Sequence, residues 1–363
     1  MSAGTTARHF PLVARSRPAC TALPARIGAL ADLAAQADRD NDPTAAARVH
    51  NQAALIASDC DQHELARTWC HRHAHAWLHH DQQGGVAGRR ALEPLVNLAR
   101  LHIRAGDHDD GFTLLNTLYQ AVACRADTVI DDIPVPATAL THTPETHHDL
   151  VRWLWSVLLA DGTRALTSAG RWDEAEQHLQ RHKGIGHRML DGRQVAIVAR
   201  LHRHQHAAAQ RLIDDTQPGE AWETAVTACL AGLGHPPTPT RIDRMTRHYH
   251  LLDPSPTQIV FRTRLALSII ELSGGVKTTN LEATMNHAVN AAIQAADGYA
   301  ARDILTHREW SSTLRRDHYD PLAKIVEDSA LGSPMPPRDV QMLTTALLMS
   351  EAVIARTGEL PSM

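Results

Sequence analysis

The sequence predicts an all-α fold made of antiparallel helix pairs. Three observations lead there. The apolar residues are mostly Ala and Leu, both strong helix formers, and aromatics are only 4% of the chain. Runs of Val, Ile, Thr and Tyr of the kind that pleat into strands are nearly absent. Finally, one pattern returns along the chain: an apolar helix ends at a turn residue, and a second helix places a small residue five positions later. It is clearest from Ala165 to Ala175 around Gly170, with echoes around Gly106, Asp61 and His204. Small side chains at such crossings let two helices approach closely.

The elements follow from periodicity and punctuation. Residues 1–24 carry Gly4, Pro11, Pro18 and Pro24 without periodicity, and are expected to be a flexible arm. Ile27, Leu30, Leu33 and Ala34 predict a helix over 25–37. Asp42 as N-cap and Pro43 at the first helical position start the next helix, which runs through Ala57. After the turn Ser58–Asp61 a helix is predicted over 62–78, then a flexible joint at 81–85, then helices near 89–105 and 108–123. Residues 127–144, with Pro134, Pro136 and Pro144, form a long irregular stretch. It reads as an excursion over a binding face or as a linker. Helices resume over 145–169, 173–182, 191–203, 205–214 and 220–233. The last third is helical but less regular, broken at 253–256, 273–275 and 332–337. A final helix over 338–356 has an apolar face (Val340, Leu343, Ala346, Leu347, Ala352, Val353) suited to capping an array.

Composition narrows the function. With 43% hydrophobic and 21% charged residues, the 363-residue chain is globular in type. A formal net charge of −4 argues against a nucleic-acid protein working through a global basic field. Lysine occurs only at 183, 277 and 324, so the cationic groups are almost all Arg. Coding bias accounts for that, and selection for bidentate anion recognition is the functional alternative. Five scattered cysteines without CxxC spacing fit reduced thiols. Neither a signal peptide nor an 18-residue apolar window is visible, so a cytoplasmic location without membrane contact is expected.

The repeat can be tested by offset. Seven residues before Gly170 lies Thr163, and two, five and nine after it lie Trp172, Ala175 and Leu179. The same offsets give Ala99, His108, Gly111 and Leu115 around Gly106. Around Asp61 they give Ala54, His63, Ala66 and Cys70, and around His204 Ile197, His206, Ala209 and Ile213. Gly170 to His204 is a step of 34 residues. Over roughly residues 40–215 this pattern resembles the tetratricopeptide-repeat superfamily. It departs from it in lacking Gly seven residues before Gly170, lacking a closing Pro, and in uneven spacing. The resemblance implies a right-handed α-solenoid over 25–234, with 235–363 continuing or capping it. It also implies a concave groove for a protein or peptide, and in that register Arg48, Asn51, Arg100 and Arg164 face the groove. Arg and Asn side chains there could grip a carboxylate or a peptide backbone.

Other candidates are weaker. Histidine reaches 25 residues, and His71, His75 and His79 share one helical face at a spacing that can chelate a metal. Further clusters are His142, His147 and His148, and His202, His204 and His206. No HExxH or paired Cys accompanies them. Gly274–Thr279 lacks phosphate-loop spacing and a preceding strand. Trp153, Trp155, Trp172 and Trp222 read as packing residues. No nucleophile elbow or catalytic triad can be assembled, and no helix-turn-helix precedes the repeats. The expected function is a non-catalytic protein- or peptide-binding adaptor without a cofactor. The alternatives are a metal-dependent or other helical enzyme using the His71 face, and a small-molecule sensor.

Overall fold

The computed structural model describes residues 9–78 and 85–357. Among the described residues helices dominate, joined by one two-stranded antiparallel ladder. Among the described residues no helix is long and apolar enough to cross a membrane. The chain divides into two compact units, each assembled from two stretches: Leu23–Ala169 with Ala330–Met363, and Met1–Ala22 with Gly170–Ser329.

The first unit opens with α1 (Leu23–Asp40), α2 (Pro43–Asp59), α3 (His63–Leu78), α4 (Gly85–Ala105) and α5 (His108–Cys124), each packed on the next. Asp42 caps α2 as the sequence predicts, its carboxylate accepting from the N–H groups of Thr44 and Ala45 at 2.8 and 3.2 Å. Small residues fill the crossings: Ala53, Ala57, Ala66, Ala74 and Ala99 are fully buried. Gly111 of α5 approaches α4 so closely that a Cβ there would lie 2.9 Å from the Ala99 carbonyl oxygen. The expected joint at 81–85 lies, except for Gly85, outside the described residues.

The stretch 127–144 is ordered. It contains β1 (Thr128–Ile130) and β2 (Ile133–Val135), turned through Asp131 and Asp132, both with positive φ. Ile130, Ile133 and Val135 are buried, and the hairpin packs on α3 and α5. Its apolar residues anchor it to α3 and α5, and beyond it the Leu140 carbonyl packs closely on Gly88 of α4. Next come α6 (Pro144–Val157), a π turn (Leu158–Gly162) and α7 (Thr163–Ser168), where the sequence predicts one unbroken helix over 145–169.

The second unit takes the chain from Gly170. The two helices flanking Gly170, the best match to the repeat, thus belong to different units. The second unit holds α8 (Trp172–Arg181), α9 (Asp191–His202), α10 (His206–Asp214), α11 (Ala221–Leu233), α12 (Pro239–His250), α13 (Ile259–Ser273), α14 (Thr279–Ala295), α15 (Gly298–Thr306), α16 (Arg308–Ser311) and α17 (Arg316–Asp328). Gly274, at the head of the glycine-rich Gly274–Thr279 segment, is the left-handed C-cap of α13.

The described part of the N-terminal arm is packed in this unit rather than loose. Phe10, Leu12 and Cys20 are buried. The Leu12 N–H donates to Gln194 Oε1 at 2.7 Å, and Gln194 Nε2 donates back to the Leu12 carbonyl at 2.8 Å. Asp297 Oδ2 accepts from the Cys20 N–H at 2.9 Å, and the Cys20 carbonyl accepts from the Gly298 N–H at 2.8 Å. Proline-rich composition suggested mobility. Three apolar anchors and two buried side-chain acceptors overcome it.

The last helix, α18 (Pro337–Thr357), returns to the first unit and packs along α1 and α2. Leu343, Ala346, Leu347 and Val353 of the predicted apolar face are buried there. Arg72 of α3 grips Glu351 through two bonds of 2.8 and 2.9 Å, and Arg356 reaches Asp38 and Asn41 at the end of α1. The helix thus lies against the first helices of the unit.

Candidate functional site

Among the hydrogen bonds that join α2 to α4, three span 46 residues each. Arg90 Nη2 donates to Thr44 Oγ1 at 2.6 Å, Asn97 Nδ2 to Asn51 Oδ1 at 2.8 Å, and Arg104 Nε to Ser58 Oγ at 3.0 Å. Partners on each helix recur every seventh residue, which is two helical turns, so they stay on one face. A constant offset means that α2 and α4 run parallel and in register. The polar contacts thus form a ladder along the seam between two alternate helices, with α3 behind them.

The ladder continues to a third segment. The Arg100 Nη1 donates to Asn97 Oδ1 at 3.0 Å, while its Nε and Nη2 donate to Asp161 Oδ2 at 2.9 and 2.8 Å. Asp161 sits in the π turn Leu158–Gly162, where the widened turn re-aims one residue. It is buried, whereas the Arg100 side chain is 45% exposed. Below the ladder, the fully buried Asp59 carboxylate pairs with both Arg26 and Arg104.

The four residues predicted for a groove divide in two. Asn51 and Arg100 meet through Asn97, in the ladder. Arg48 is exposed one turn from Asn51 and pairs with no acid among the described residues, and Arg164 is exposed one turn beyond Asp161. Arg48 and Arg164 are thus exposed residues near a polar seam whose central cation is partly neutralised by Asp161. Sequence reasoning missed Asn97, Asp161, Thr44 and Ser58. The heptad spacing of Thr44, Asn51 and Ser58 against Arg90, Asn97 and Arg104 was the available signal.

The histidine face has another arrangement. His71 Nε2 lies 2.7 Å from Asp131 Oδ2, and Arg67 donates to the same carboxylate. Those bonds, Arg67 first, pull the Asp131 carboxyl down to about 2 against its partial burial. The pair pins the β-hairpin turn to α3. His75 is exposed, and His79 lies outside the described residues. No three His, Cys, Asp or Glu side chains form a metal-holding cluster among the described residues. In the third cluster, His202 stacks on Trp172 with ring centroids 5.7 Å apart.

One further group lies in the core of this unit. His50 of α2 and His73 of α3 stack with ring centroids 4.6 Å apart and planes 10° from parallel, both about 1% exposed. Trp77 Nε1 donates to His73 Nε2 at 3.0 Å, whereas neither ring nitrogen of His50 has a hydrogen-bond partner among the described residues. Burial, with Arg72 adding to it, pushes His50 down to about 3, and burial takes His73 well below its usual range. Both rings are neutral at physiological pH and serve as packing.

No protein-family model, no curated protein and no solved structure matches this chain.

Proposed function

We propose that the first unit is a non-catalytic docking scaffold of tetratricopeptide-like type, an adaptor that takes a carboxylate-bearing peptide on the face formed by α2, α4 and α7. The observation that carries this reading is the parallel ladder between α2 and α4. In a stack of helix pairs, alternate helices run parallel and share one face, and a fixed offset is what such a stack produces. Arg48 and Arg164 then supply charge at the two sides of the seam, and Arg100 supplies it in the middle. A guanidinium offers two parallel donors to a carboxylate, which suits the free C-terminus of a peptide. Ladder amides such as Asn51 and Asn97 can exchange their mutual bond for a peptide backbone group.

Selection of binding peptides from a random library, followed by titration of the enriched sequences, tests the proposal. Replacing Arg100 and Arg164 by Ala should weaken binding at least tenfold with the helical signal retained. Asp161→Asn separates binding from architecture: it frees the Arg100 guanidinium, so affinity for a carboxylate should rise even as stability falls. Unchanged affinity in both variants would remove the face from consideration.

A further inference from the structure

The second unit holds a groove that the ladder face does not involve. α11 forms its floor with Thr227 and Ala231, α10 supplies Ile213 and Asp214 along one wall, and α12 supplies Arg241 and Arg244 along the other. The cavity measures about 460 Å³, within the range of small-molecule sites. At Gln210, Ile213, Ala231 and His235 it opens into a second, more enclosed chamber of about 200 Å³. That chamber is almost wholly apolar, walled by Leu201, Ala209 and Leu230. It exists in part because position 234 is glycine: a Cβ there would lie 3.0 Å from Leu201 Cδ2.

The charges of the outer cavity are unbalanced. Arg241 gives one N–H to the Pro236 carbonyl at 2.8 Å. Arg244 is exposed and pairs with no acid among the described residues. Asp214 is the one carboxylate in the lining, and it already accepts from Gln210 Nε2 at 2.8 Å. His248 adds no charge at neutral pH, because burial, with Arg244 and Arg247, holds it below its usual range. Two guanidinium groups against one carboxylate leave room for a single negative charge.

We infer that this groove binds a small monocarboxylate with a short hydrocarbon tail, the head between Arg241 and Arg244 and the tail in the chamber lined by Leu201, Ala209 and Leu230. Charge complementarity selects the head. A dianionic phosphate would leave one charge uncompensated beside Asp214, whereas a carboxylate matches the fork of one guanidinium. The enclosed end selects a tail, because its surface is mostly apolar, with His206, Gln210 and His235 the polar residues of the lining among the described residues, and apolar walls reward hydrocarbon. The site shares no residue with the ladder face, so either proposal can fail without the other.

Calorimetric titration of the full chain with acetate, butyrate, hexanoate and octanoate tests it. Affinity should rise about fourfold per methylene until the chamber is full. Octanol and octyl phosphate should bind at least tenfold more weakly than octanoate. Arg244→Gln, at an exposed position where folding is not at stake, should lower octanoate affinity at least tenfold. Ala231→Leu should flatten the dependence on chain length. Absence of binding up to millimolar octanoate would overturn the inference, and so would binding that Arg244→Gln leaves unchanged.

Discussion

The two units hold their helices together in different ways. In the first, Thr44, Asn51 and Ser58 meet Arg90, Asn97 and Arg104 at one repeated offset. In the second, each tie is singular. The buried Glu176 carboxylate collects Arg200 and Arg203. The buried Glu223 takes Arg188 and also caps its own helix, accepting from the Glu220 N–H at 3.0 Å. Gly219 makes room for that carboxylate, since a Cβ there would collide with it. Gln194 and Asp297 strap down the N-terminal segment. Repeated ties keep alternate helices parallel and build a continuous face. The second unit instead holds a pocket between α10, α11 and α12.

The sharpest way to break the contrast is to remove the base of the ladder. Asp59→Ala would take the shared carboxylate from the guanidinium groups of Arg26 and Arg104, the first only 12% exposed. Loss of one partner from a buried ion pair costs about 3–5 kcal/mol, and urea unfolding should register it. A loss below about 1 kcal/mol would mean that Asp59 is not what anchors α1, α2 and α4.

In the second unit the matching cut is Gln194→Ala. It leaves the buried Leu12 N–H and carbonyl without their side-chain partner, a cost of about 1–3 kcal/mol. Amide exchange at Leu12 should accelerate in step. Slow exchange in the variant would show that apolar anchoring alone holds the strap.

Acid probes the first unit's core. His50 falls from its usual 6.5 to about 3 on folding, so the unfolded chain binds the proton first. Stability should therefore be intact above pH 6.5 and decline as pH falls from 6.5 towards 3. His50→Leu removes a buried ring with two unpartnered nitrogens. It should leave stability at pH 7 unchanged or raise it by about 1–2 kcal/mol, and shrink the acid-dependent loss. An unaltered pH profile would place the acid sensitivity elsewhere.

The smallest effect belongs to a single rung. A double-mutant cycle on Asn51 and Asn97, each replaced by Ala, should give a coupling of about 0.5–1.5 kcal/mol. Zero coupling would make the rung an incidental contact.

Much of this was legible in the sequence, and the limits have physical causes. Helix positions followed from apolar periodicity, and the Asp42 and Pro43 start of α2 from capping chemistry. The exchange of the chain between units at Gly170, and the return of α18 to α1 and α2, depend on which apolar faces meet. Local patterns carry no such information. The π turn at Leu158–Gly162 left no trace because Ala160 and Leu166 read as ordinary helix. The hairpin at 128–135 was hidden by its brevity and its prolines, although Ile130, Ile133 and Val135 alternate or flank the turn as a buried hairpin requires. At the candidate face, Arg48, Asn51, Arg100 and Arg164 emerged from the repeat register. Asp161, which changes what Arg100 can do, lies in another helix pair and could be found only from geometry.

The central claim is that the α2, α4 and α7 face holds a carboxylate-bearing peptide. Its most direct measurement is the affinity of one library-selected peptide with a free C-terminus and with an amidated one, for the intact chain and for an Arg48→Ala, Arg164→Ala variant. The account predicts that amidation weakens binding to the intact chain at least tenfold and that the double variant loses most of this difference. Equal affinity for both peptides, or the same difference in the variant, would contradict it.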